Sequence, residues 1–118
     1  EHIVVKYLAH SSKKDIVNRA KAAIIEGLAS GAVTETSIAG ELHMTPRNLH
    51  RKLHKEGTSF KLLLTEVRRE LAHQYIQDRS KTLTEISYLL GFSEASSFSR
   101  AYKNWTGQAP SDARRDVA

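Results

Sequence analysis

A unit of short helix, tight turn and longer helix occurs twice in these 118 residues, and this repetition constrains the fold more than any other feature. Ile38, Leu42, Met44 and Thr45 correspond to Ile86, Leu90, Phe92 and Ser93 at an offset of 48. Leu49, Arg51 and Leu53 correspond to Phe98, Arg100 and Tyr102 at 49, and Gly57 and Phe60 to Gly107 and Pro110 at 50. Two amphipathic helices share a period by chance, but the glycine and cap positions match here as well as the apolar ones. Two diverged copies of one unit explain all three sets.

Apolar spacing is helical through nearly the whole chain, so the expected class is all-α: two helix-turn-helix subdomains joined by a long linker helix, about seven helices in all. Gly31, Gly57, Gly91 and Gly107 each close a periodic segment, where a helix C-terminus favours a residue that tolerates positive φ. Ser37, Thr45, Ser59, Thr82 or Thr84, and Ser93 each precede such a segment and are the expected N-caps. Pro46 follows Thr45 at the first helical position, where its missing N–H costs nothing. These marks predict helices over 15–30, 37–42, 46–55, 59–78, 84–90 and 94–105, then a short helix after Pro110 with a frayed tail at Arg114, Arg115 and Asp116. Ile16, Ala20, Ile24 and Leu28 form one face of the first helix. Phe60, Leu64, Val67, Leu71 and Tyr75 form the expected buried stripe of the longest, with Phe92, Phe98 and Trp105 as further core. Ile3, Val4 and Val5 suit a short helix or strand, and the chain opening on Glu1 rather than Met reads as a piece of something longer.

In a helix-turn-helix unit the second helix enters the major groove, so its outer face is decisive. At about 100° per residue, Arg47, His50, Arg51 and His54 share one face, opposite Leu49 and Leu53. In the second copy Ser96, Ser99, Arg100 and Lys103 share a face opposite Phe98, Ala101, Tyr102 and Trp105. The net charge of +5 is concentrated: Arg47, Arg51, Lys52, Lys55, Lys61, Arg68 and Arg69 stand against only Glu56 and Glu66 between positions 47 and 69. A solvated helix face would interleave both signs. The segment reads as a surface for a polyanion.

Other chemistries fit poorly. Without Cys there is no disulfide scaffold, thiolate zinc site or cysteine nucleophile. His50 and His54 have the i, i+4 spacing of helical metal ligands, but no Glu follows His50 and no third ligand is spaced nearby, so no metal or other cofactor is expected. Asp15, Asp78 and Asp112 are isolated and the serines sit at caps or on the outer faces, so no catalytic residue is assigned and no enzyme is expected. The aromatic residues read as core rather than as stacking platforms, which disfavours RNA. No run of 18 apolar residues suggests a membrane span. The alternative reading is a helical protein-interaction module with a basic surface. The long helix, about 20 residues or ~30 Å, approaches the ~34 Å of one B-DNA turn. One chain carrying two reading heads then suits a non-palindromic site.

The motifs Ile38-Ala39 with His43 to Leu53, Glu56 to Phe60, Ile86-Ser87 with Gly91 to Ser93, Ser96 to Lys103, and Trp105-Thr106-Gly107 with Pro110 and Arg114 resemble the C-terminal DNA-binding domain of the AraC/XylS family of bacterial transcription regulators. The resemblance implies base reading by Arg47, His50 and Arg51 in the first lobe and by Ala95, Ser96, Ser97 and Arg100 in the second. Thr45, Lys52, Lys55, Lys61, Ser93 and Lys103 are the phosphate-contact candidates. Ala95 and two serines offer little to base edges, so the first lobe is the expected source of specificity. Ser87 stands where the family usually has a tightly packed Ala, and its hydroxyl is expected to bond back to the helix backbone. The implied organisation is 1–14 as the linker or tail of a regulatory domain, 15–58 as the first lobe, 59–79 as the linker helix and 80–118 as the second lobe. The implied partners are promoter or operator double-stranded DNA and, in the full-length protein, RNA polymerase. The fragment is expected to be monomeric, the full-length protein dimeric through its other domain, and the compartment the bacterial cytoplasm.

Overall fold

The computed structural model describes residues 15–31 and 33–117. The readings made for Ile3 to Val5 and for 1–14 as a whole lie outside these residues. Among the described residues are seven α-helices and no strand: α1 Ile16–Gly27, extended by a 3-10 turn at Leu28–Ser30, α2 Glu35–Glu41, α3 Pro46–Lys55, α4 Phe60–Gln77, α5 Leu83–Leu89, α6 Ala95–Thr106 and α7 Pro110–Arg115. The chain forms two compact units, one ending at Val67 and the other beginning at Arg68, so the division falls inside α4.

In the first unit Ile16, Ala20, Ile24 and Leu28 are buried as their spacing predicts, with Ile38, Ala39, Leu49, Leu53, Leu63 and Val67. Asp15 caps α1 by accepting the Asn18 N–H (3.1 Å). The cap of α2 is Thr34, not the expected Ser37. Thr34 Oγ1 accepts the Ser37 N–H (3.0 Å) and Ser37 Oγ accepts the Thr34 N–H (2.9 Å). This reciprocal pair satisfies two orphan donors and starts the helix earlier than a lone serine would. Thr45 caps α3 by accepting the Asn48 N–H (3.1 Å), with Pro46 in the first turn.

The second unit buries Leu71, Ala72, Ile76, Ile86, Ser87, Leu90, Phe98 and Tyr102. Thr82, rather than Thr84, caps α5 through a capping box with Glu85, whose carboxylate is held below its ordinary value by the Thr82 backbone N–H and hydroxyl. Glu94 occupies the cap position of α6 without a side-chain bond, so Ser93 lies one residue outside the cap it was expected to form. Ser87 Oγ donates to the Thr84 carbonyl (2.6 Å), which satisfies a hydroxyl with no exposed surface. Phe92, Phe98, Tyr102 and Trp105 form a chain of tilted and edge-on ring contacts with centroids 5.8–6.4 Å apart. Of these Phe92 and Trp105 are half-buried rather than core.

The buried stripe of α4 differs from the expected one. Leu63 and Ile76 are buried where Leu64 and Tyr75 were expected, and Phe60, Leu64 and Tyr75 are half-buried. The helix changes units partway along its length, so its two halves bury different faces and no single stripe describes it.

The expected frayed tail is instead an anchor. The Arg114 guanidinium donates to the carbonyls of Tyr75 (3.1 Å), Ile76 (3.1 Å), Asp78 (3.1 Å) and Lys81. These include C-terminal carbonyls of α4, a place where helix acceptors need donors from outside the helix; that of Tyr75 also accepts the Asp78 N–H (3.0 Å). Arg79 returns the favour by donating to the carbonyls of Arg114 (3.4 Å) and Val117 (3.0 Å). Asp78 accepts from the Ser80 N–H (3.0 Å), Ser80 Oγ (2.6 Å) and Lys81 Nζ (2.8 Å), and these bonds, that to Lys81 foremost, hold it well below the usual carboxylate range.

Candidate nucleic-acid interface

The two turns that orient α3 and α6 are built alike. In the first, Leu42, His43 and Met44 donate their N–H groups to the carbonyls of Ile38 (3.1 Å), Gly40 (3.1 Å) and Ala39 (2.8 Å). In the second, Leu90, Gly91 and Phe92 donate to Ile86, Tyr88 and Ser87, each at 3.0 Å. The residue at the bend has positive φ in both, 58° at His43 and 84° at Gly91. The turn therefore repeats in backbone geometry, although one copy meets the left-handed requirement without glycine. Gly31, Gly57 and Gly107 also have positive φ, as their positions predict.

On α3, Leu49 and Leu53 are buried while Arg47, His50, Arg51 and His54 are exposed. Arg51 Nη2 donates to Asn48 Oδ1 at 2.6 Å, so a half-buried amide three residues earlier restrains the guanidinium. On α6, Ser96, Ser99, Arg100 and Lys103 are exposed opposite buried Phe98 and Tyr102. Arg100 Nη2 reaches Ser97 Oγ at 3.5 Å, the corresponding pairing in the second copy, longer and weaker. Ser96 Oγ lies 3.4 Å from the Glu94 carboxylate, and Ala95 and Ser97 are half-buried. The predicted base-reading residues thus fall on the N-terminal and outer parts of two helices whose other faces are core. Of the seven, Ala95 has no polar side-chain atom and Ser97 is partly engaged by Arg100.

The predicted phosphate contacts Thr45, Lys52, Lys55, Lys61, Ser93 and Lys103 are all exposed. Thr45 Oγ1 accepts within the cap and still has its proton to donate. Arg51, Lys52, His54 and Lys55 line a shallow depression of about 290 Å³ on α3. Its lining holds no carboxylate, so the potential there is positive. Glu66, one of the two acids in the basic segment, is paired with Lys21 (2.8 Å).

Arg68 does not belong to this surface. Its Nε donates to the Leu90 carbonyl (2.8 Å) and its Nη2 to that of Gly91 (3.3 Å), with the guanidinium over the Phe92 ring at 4.3 Å. Burial lowers its pKa from the ordinary guanidinium value. The residue clamps the turn before α6 and takes one charge out of the basic cluster counted from sequence. Arg69 Nη2 likewise reaches the Trp105 carbonyl (3.4 Å).

Two positioning residues went unnoticed in the sequence. Asn48 restrains Arg51, and the i, i+3 spacing of an amide and an arginine was the available signal. Glu35 on α2 lies 3.6 Å from His50 Nδ1, a contact between helices that no spacing rule reveals. His50 and His54 stack with centroids 6.5 Å apart and ring planes within 8°. Among the described residues no group of three His, Asp or Glu is placed to hold a metal ion. No helix among them is long and apolar enough to cross a membrane.

Comparison with known proteins matches residues 38–116 to the helix-turn-helix domain family. A transcriptional regulator of Mycobacterium tuberculosis, Rv1395, is 46% identical over 82 residues, covering 70% of this chain and 24% of that protein. The ornithine utilization regulator of Pseudomonas aeruginosa is 46% identical over 76 residues, covering 64% of this chain and 22% of its own length. The chain therefore spans about a quarter of the length of these curated relatives. Among solved structures, a DNA-binding transcriptional dual regulator from Escherichia coli K-12 superposes with a TM-score of 0.80 at 29% identity, covering 86% of this chain and 91% of that one.

Proposed function

This chain belongs to the AraC-type helix-turn-helix family of transcription regulators, and from that premise we propose that it reads specific double-stranded DNA with two recognition helices, α3 and α6, in successive major-groove segments. The observation that carries the reading is the outer face of α3. Four cationic or hydrogen-bonding side chains, Arg47, His50, Arg51 and His54, are exposed on a helix anchored by buried Leu49 and Leu53.

In this reading Arg47 and Arg51 offer a bidentate fork to guanine O6 and N7, and His50 meets a base edge beside them. Asn48 adds precision by holding Arg51 before DNA arrives. Ser96, Ser97 and Arg100, with Ala95 against a thymine methyl or sugar, form the lesser reading set of α6. Thr45, Lys52, Lys55, Lys61, Ser93 and Lys103 take phosphates and set the register. The activity is binding, without a catalytic step or cofactor. In a longer regulator carrying this chain, RNA polymerase is the proposed further partner and dimerisation a property of the remaining portion. The proposed compartment is the bacterial cytoplasm, where promoter DNA lies.

The test is selection of bound duplexes from a random pool, repeated with variants. Arg47→Ala and Arg51→Ala should each relax preference at one or two base positions by about 1–3 kcal/mol. Lys55→Ala should weaken all duplexes alike. Uniform loss in all three variants would remove the distinction between base and phosphate contacts, and no enrichment with the unaltered chain would remove the reading itself.

A further inference from the structure

We propose that Glu35 is a specificity-determining residue that acts through His50: its carboxylate fixes the imidazole tautomer and so decides which base edge His50 accepts. The inference rests on the base-reading role proposed for His50.

Glu35 Oε2 lies 3.6 Å from His50 Nδ1. That is ion-pair range rather than a hydrogen bond, so the influence is chiefly electrostatic. A negative charge beside Nδ1 favours the tautomer with its proton there and leaves Nε2 with a lone pair. The His50 side chain is 68% exposed on the outer face of its helix. On the same helix Arg47 and Arg51 are cationic, Arg51 being held by Asn48, and His54 stacks on the His50 ring. None of these three neighbours supplies a competing anion. Glu35 is also not committed to capping its helix, because Thr34 and Ser37 complete the capping box between themselves. At the equivalent positions the second copy carries Leu83 and Ser99, so the pair exists only in the first lobe.

The chemical consequence is definite. With the proton on Nδ1, His50 presents an acceptor to the major groove. Its complement is an exocyclic amino group, N4 of cytosine or N6 of adenine. With the proton on Nε2, His50 would be a donor and would complement guanine O6 or N7, or thymine O4. Glu35 thus selects amino-bearing over keto-bearing bases at one strand position without touching DNA.

Two measurements test this on the chain as it stands. The first is nitrogen NMR of the histidine rings at alkaline pH, where imidazole is neutral. His50 should be predominantly Nδ1-protonated in the unaltered chain and shift toward Nε2 protonation in Glu35→Ala. Glu35→Gln, which keeps the side-chain length without the charge, should give a smaller shift in the same direction and serves if Glu35→Ala does not fold. An unchanged tautomer population in the folded variant overturns the proposal.

The second is duplex selection at the same pH. Glu35→Ala should lower the preference for cytosine or adenine by about five- to tenfold at one position. Preferences altered by Arg47→Ala and Arg51→Ala should stay unchanged, and Glu35→Ala should have no effect in a His50→Ala background. A uniform loss across positions, or an effect that persists without His50, assigns Glu35 a merely structural role and overturns the proposal. If His50→Ala alters no base position, the base-reading role of His50 falls and the specificity claim falls with it. If His50→Ala alters one position and Glu35→Ala alters none, only the claim about Glu35 falls.

Discussion

At the scale of single residues, the two copies meet one backbone requirement with different chemistry. The bend between the helices of each motif needs positive φ, supplied by His43 at 58° and Gly91 at 84°. A residue with a Cβ pays roughly 1–2 kcal/mol in this region. Gly91→Ala should therefore destabilise the second unit by about 1–2 kcal/mol. His43→Gly should be neutral or stabilising by up to about 1 kcal/mol, since relief of strain is partly offset by the greater freedom of glycine in the unfolded chain. Urea denaturation midpoints of both variants measure the difference. Glycine at position 91 was readable as a turn signal, whereas histidine at 43 was not, because its φ follows from the hydrogen bonds of the turn rather than from its own preference. The same limit concealed Glu35. Its partner is fifteen positions away on another helix, and only folding brings the two within 3.6 Å.

At the scale of elements, caps and faces were legible to different degrees. Thr45-Pro46 and the closing glycines were read correctly because each acts within its own turn of chain. The start of α2 was misplaced because Thr34 and Ser37 are both good caps, and reciprocal bonding between them decides in favour of the earlier. The α4 stripe was misplaced because the helix is shared between units. Arginines acting as caps from a distance leave no mark in local spacing. Arg114 donates to four carbonyls at and beyond the end of α4, and Arg68 to two at the turn after α5. Arg114→Ala should lower the stability of the second unit by about 1–3 kcal/mol, since four carbonyls lose a charged donor together, although those of Tyr75 and Asp78 keep the backbone N–H groups of Asp78 and Lys81. Arg114→Lys should recover only part, because one ammonium lacks the planar fork that spans separate carbonyls. The single tryptophan, Trp105, lies in that unit, so its fluorescence during denaturation reports the loss directly.

At the scale of the whole molecule, a net charge of +5 describes solubility until its location is known. Arg47, Arg51, Lys52, Lys55 and Lys61 stay exposed in the first unit, while Arg68 is spent on a turn in the second. Duplex affinity should therefore fall steeply with salt. Lys52→Ala, Lys55→Ala and Lys61→Ala should each reduce the slope of log affinity against log salt by about one. Fluorescence anisotropy titrations at several salt concentrations measure those slopes, and slopes equal to the unaltered chain would remove these lysines from the phosphate contacts. The sequence by itself determined the helical class, the doubled unit, the buried faces of α3 and α6 and the cationic outer face, because periodicity, capping and glycine placement act over a few residues. Only the tertiary structure decided which arginines face solvent and which clamp carbonyls, where α4 changes its buried side, and that Glu35 meets His50. Those outcomes depend on the approach of groups distant in the chain, and no local preference encodes that.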